Sequence, residues 1–217
     1  MDRRALSGIS PFLLVPLLLC LIQSQLSPSF YPWISALPQF EKCLIAPFVA
    51  FGWQYLTSNL VTYTILAVAL LLMAGRAGTP TVAKQFLFLL VAVPLVTAVV
   101  KTAIGYPGTG LGFSGVVFAL AGLVAISVIR AAPEGHIPAS LLVAGGVLVL
   151  AVIPLLVPPV FALPDGRHFF TDVVGHWCGF LVGCGVAGAY PLVEVRRPWA
   201  GLVVLAYFAI AALPMVA

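Results

Sequence analysis

Seven apolar stretches, most of them near the ~20 residues a helix needs to cross roughly 30 Å of hydrocarbon, take up most of this chain and leave it few folds. They run approximately from Pro11 to Leu26, Gln54 to Ala74, Gln85 to Ile104, Leu111 to Ile129, Ile137 to Val157, Phe169 to Tyr190 and Trp199 to Ala217. Backbone amides and carbonyls find no water in hydrocarbon, so each stretch is expected to be a helix that satisfies its own hydrogen bonds. Composition agrees. The chain is 62% hydrophobic and 7% charged, with a mean hydropathy of +1.17, whereas a soluble domain carries about 25% charged residues. The expectation is an all-α, polytopic membrane helical bundle, a single domain over residues 1–217 embedded in the lipid bilayer. The first stretch, behind Arg3 and Arg4, also has the form of a secretory signal peptide, but no A-x-A-like cleavage site follows it.

A net charge of +4 would suggest a polyanion partner for a soluble protein. Here the basic residues sit in short loops and act as topology determinants, so no nucleic acid is expected. With the N-terminus cytoplasmic, the inner side holds Arg3, Arg4, Arg76, Lys84, Arg130, Arg196 and Arg197, and the outer side only Lys42, Lys101 and Arg167. That is the positive-inside distribution, and it predicts a multi-pass protein of the plasma membrane with its C-terminus outside. The segment from Pro28 to Pro47, with Trp33 in it and Trp53 just beyond, is then an outer loop lying in the membrane interface.

Orientation places the polar residues. At 1.5 Å per residue, Ser114 falls about 6 to 9 Å, and His176 about 10 Å, inside the outer ends of their segments. The outer part of the second segment adds Thr57, Ser58, Asn59, Thr62, Tyr63 and Thr64. Hydrogen-bonding side chains at one depth on three segments are costly against lipid and point to a wet cavity.

Within that cavity, His176 carries the most information, since an ionisable side chain inside a membrane segment marks function by default. Gly175, Gly179 and Gly183 lie four apart on its helix, a smooth stripe for close helix packing; Gly115, Ala119 and Gly122 form a similar stripe beside Ser114. Helices joined through these stripes bring the Ser114 hydroxyl to the His176 imidazole, the arrangement in which a base activates a serine nucleophile. Asp172, one turn before His176, has two readings: orienting the imidazole, or capping the helix N-terminus. Cys20, Cys43, Cys178 and Cys184 lack metal-ligand spacing and read as small buried hydrophobes. No metal or cofactor is expected.

Gly112-Phe113-Ser114-Gly115 opening the fourth segment, and Gly175-His176 continuing into Gly179 and Gly183 in the sixth, resemble the rhomboid intramembrane serine proteases. The resemblance covers about residues 11–190 as a six-helix core, with residues 199–217 as an extra C-terminal helix. It implies a serine endopeptidase with a Ser114–His176 dyad, cleaving transmembrane protein substrates within or beside their membrane segments. The family usually adds an oxyanion-binding histidine and asparagine, four residues apart, from its second segment. No histidine occurs there in this chain; Asn59, with Tyr63 four residues on, and the Ser114 backbone N–H are the candidates instead. A rhomboid-like protein that binds membrane clients without cutting them is the alternative. A small transporter is a more distant one, since neither inverted repeats nor multiple intramembrane charges are visible.

Overall fold

The structure is a computed structural model describing residues 3–26, 30–50, 52–106, 110–131, 161–162, 168–169, 172–191 and 203. Its helices are α1 (Arg3–Gln25), α2 (Phe30–Ala36), α3 (Gln39–Ile45), α4 (Trp53–Ala103), α5 (Ser114–Ala131) and α6 (Val173–Ala189), with a 3₁₀ turn at Ala46–Phe48. A two-residue antiparallel pair, β1 (Phe161–Ala162) with β2 (His168–Phe169), is the only other regular element among the described residues. The architecture is the all-α membrane bundle expected. The fifth and seventh apolar stretches lie outside the described residues, Val203 excepted.

α4 is two spans in one helical run. Gly75, at φ 59° and ψ −171°, breaks the helical geometry, a left-handed conformation that glycine adopts without a Cβ penalty. The arms are Trp53–Gly75 and Gly78–Ala103, roughly 34 and 39 Å long at 1.5 Å per residue. The second arm therefore starts earlier than Gln85. Pro80 falls in its first turn, where the missing N–H is not needed, and the Thr79 hydroxyl donates to the Gly75 carbonyl at 2.8 Å.

The core runs through all the long helices. Phe12 of α1 stacks on Phe86 of the second arm, with centroids 4.6 Å apart. Phe86 meets Tyr63 of the first arm at 5.6 Å, and Tyr63 meets Phe113, just before α5, edge-on at 5.7 Å. Outward positions are apolar as well: Leu13, Leu14, Leu17 and Leu18 on α1, and Leu87, Phe88, Val91, Leu95 and Val99 on α4, are all exposed. Rows of exposed leucine, valine and phenylalanine on consecutive turns suit lipid and are untenable in water.

The short helices brace the site. Ile34 of α2 and Ala46 and Val49 around the 3₁₀ turn bury themselves with Leu111 in a second small cluster. The Gly112 N–H donates to the Ala46 carbonyl at 2.9 Å. The chain entering α5 is thus held from the Pro28–Pro47 region, which forms helix rather than loop over most of its described length.

Candidate active site

Both functional helices begin later than their apolar stretches. Gly112 at φ +117° keeps the chain out of a helix until Ser114, so α5 starts at Ser114 itself rather than at Leu111. Asp172 caps α6, its side chain accepting from the Gly175 N–H at 3.0 Å, so this helix starts at Val173 rather than Phe169. Ser114 and His176 therefore occupy first turns. First-turn N–H groups have no carbonyl partner within their helix, so the Ser114 amide points out of the start of α5.

The glycine stripes set the distance between the two helices. A Cβ on Gly179 would collide with the Gly115 carbonyl oxygen, one on Gly183 with that of Ala119, and one on Gly122 with that of Phe180. Backbones are in contact along the whole seam. His176 is consequently brought to Ser114, with Nε2 2.8 Å from the Ser114 Oγ. Both are buried, at 6% and 8% exposure. Phe118, one turn beyond Ser114 on the same face of α5, lies against the imidazole at 4.2 Å between ring centroids.

A residue not anticipated from the sequence completes the cluster. The Tyr55 hydroxyl, from the first turn of α4, donates to the Ser114 Oγ at 3.3 Å. Its ring covers Gly112, where any Cβ would strike the Tyr55 ring. Helical spacing held the signal: Tyr55 is one turn before Asn59, as Tyr63 is one turn after it.

Tyr63, that later position, is not part of the site. Its hydroxyl donates to the Phe12 carbonyl of α1 at 3.0 Å, about 12 Å further along α4 than Tyr55 and beside Phe86. Asn59 is buried and donates its amide to the Tyr55 carbonyl at 2.9 Å, so it steadies the turn carrying Tyr55. The neighbouring hydroxyls are satisfied within their own helix. Ser58, Thr62 and Thr64 bond back to the Tyr55, Ser58 and Leu60 carbonyls, the usual way a hydroxyl is satisfied against an apolar surround.

Asp172 takes the capping role and not the imidazole. Oδ1 accepts from Gly175, and Oδ2 accepts from Lys101 Nζ at 2.6 Å. The His176 Nδ1 has no hydrogen-bond partner among the described residues. Lys101, read from the sequence as an outer-loop charge, is 1% exposed. The four cysteines are free thiols, and no cluster of metal-ligating side chains occurs among the described residues.

A family model described as the Rhomboid domain matches residues 38–191, a span that includes α3 to α6 and both Ser114 and His176. No curated protein and no solved structure matches the chain.

Proposed function

The chain belongs to the rhomboid family, and from that premise we propose that it is an intramembrane serine endopeptidase whose nucleophile is Ser114 and whose base is His176. The observation that carries this reading is the 2.8 Å contact between Ser114 Oγ and His176 Nε2 in a buried site. With the imidazole proton on Nδ1, Nε2 accepts from the serine hydroxyl. As Oγ attacks a scissile carbonyl, His176 takes the proton, then returns it to the departing amine; water, activated by the same nitrogen, releases the acyl group. Phe118 lies against the imidazole, and its π face favours the imidazolium formed in this step.

Negative charge on the substrate oxygen needs donors. The Tyr55 hydroxyl and the Ser114 backbone N–H both lie at the nucleophile, and Tyr55 precedes Asn59 by four residues, the spacing the family uses for its histidine and asparagine. A phenol thus stands at the place of the family's imidazole. The substrates are transmembrane proteins presenting an extended stretch, because helical hydrogen bonding hides a scissile carbonyl. The positive-inside distribution supports an orientation with this end of the bundle at the outer face of the plasma membrane.

Client binding without cleavage is the second reading, favoured by the lack of histidine in Trp53–Gly75. A fluorophosphonate probe separates the two. Detergent-purified wild type should label and should cleave a transmembrane substrate, whereas Ser114→Ala and His176→Ala should fall to background, a loss on the order of a millionfold in the best-studied serine proteases. Labelling that persists in Ser114→Ala refutes the assignment, and a folded wild type that neither labels nor cleaves selects client binding.

A further inference from the structure

Beside the dyad lies a part-buried ion pair with no part in the chemistry above. Lys101 closes the second arm of α4, and its ammonium lies 2.6 Å from Asp172 Oδ2, with side-chain exposures of 1% and 14%. The ammonium also faces the Tyr106 ring at 5.3 Å from its centroid. Burial, with the Asp172 charge adding to it, raises the Tyr106 phenol above its ordinary value, so this ring stays neutral.

The pair is where three segments meet. Asp172 caps α6 through Oδ1, and the His176 N–H donates to the Asp172 carbonyl at 2.9 Å. One residue therefore sets the turn from which the imidazole projects. Gly110, at φ +60°, packs so closely that a Cβ there would strike the Asp172 carboxylate and come 2.5 Å from Lys101 Nζ. Four residues later the chain reaches Ser114. The carboxylate and ammonium thus touch the end of α4, the segment delivering the nucleophile and the helix start delivering the base.

We propose that Lys101 and Asp172 are positioning residues for the dyad, an ionic clamp that fixes the first turn of α6 against the entry to α5. This rests on Ser114 and His176 being the reacting pair. Asp172 does not act through the imidazole, since His176 Nδ1 makes no hydrogen bond to its carboxylate. An apolar pair of similar volume often holds a buried site as tightly as an ion pair does. What the charged pair adds is direction: a short charge-assisted bond fixes where the capping carboxylate sits.

The test uses the full chain in detergent and the double variant Lys101→Met/Asp172→Asn. Asparagine caps helices as well as aspartate does, and the double change leaves no lone buried charge. The melting temperature, the Ser114 labelling rate, and kcat and KM on a transmembrane substrate are measured together. The clamp predicts a melting temperature near that of wild type, KM within about twofold, and kcat and labelling lowered at least about tenfold, the range in which misorientation of reacting groups acts. Unchanged kcat overturns the inference, as does a fall in kcat that merely follows the folded fraction. If that variant does not fold, Lys101→Met/Asp172→Ser, with a shorter capping oxygen, takes its place under the same criteria; failure of both to fold makes the pair a folding requirement and also overturns it. Wild type that never labels at Ser114 signals instead that the protease reading has failed.

Discussion

The seam between α5 and α6 changes character along its length. Away from the helix N-termini it is held by the absence of side chains alone: Gly122 and Gly183 leave no room for a methyl group. At the N-terminal end, Tyr55, Ser114, His176, Asp172 and Lys101 hold the same two helices by directional hydrogen bonds. Without a hydrophobic driving force between helices in lipid, close backbone packing supplies association, but a smooth seam sets distance far better than it sets the angle of a side chain. The polar end supplies that angle. Distance and orientation are therefore separable properties here, and substitutions should separate them.

The largest effect is expected at the smooth end. Gly183→Val puts two methyl groups into the Ala119 carbonyl and should destabilise the bundle by about 3 kcal/mol, the upper part of the range for overpacking. Thermal unfolding and probe labelling should fall together. A normal melting temperature would mean the seam can open without cost.

Tyr55→Phe should do the reverse. It removes one hydroxyl at the polar end and keeps the ring over Gly112, so kcat should drop about a hundredfold, the typical cost of losing an oxyanion donor. KM and the melting temperature should barely move. An unchanged kcat would assign charge stabilisation to backbone N–H groups alone.

Tyr63→Phe is the smallest and serves as the control on the same helix. It loses only the bond to the Phe12 carbonyl, worth about 1 kcal/mol, visible as a lowered melting temperature with normal activity per folded molecule. A drop in kcat resembling that of Tyr55→Phe would place both tyrosines in the site and overturn the separation of α1 packing from catalysis.

The first, second, third, fourth and sixth spans, the glycine stripes and the Ser114–His176 juxtaposition were legible in the linear chain, because hydropathy and helical spacing are local properties. The helix starts were not. Apolar runs continue through Leu111 and Phe169, and only the backbone of Gly112 and the cap from Asp172 delay α5 and α6 to Ser114 and Val173. Nor was the choice between Tyr55 and Tyr63, both one turn from Asn59. The two lie about 12 Å apart along α4, and only the packing of α4 against α5 and α1 sets which turn meets Ser114 and which meets Phe12.

By itself the sequence determined that this protein is a helical membrane bundle and that an intramembrane histidine needs a partner, since the cost of polar groups in hydrocarbon follows from composition alone. Only the tertiary structure decided which polar groups meet. It turned Tyr63 away, brought Tyr55 to Ser114, and made of Lys101, outwardly a loop charge, the buried partner of Asp172. Those outcomes depend on the rotation and register of whole helices, which residues distant in the chain settle.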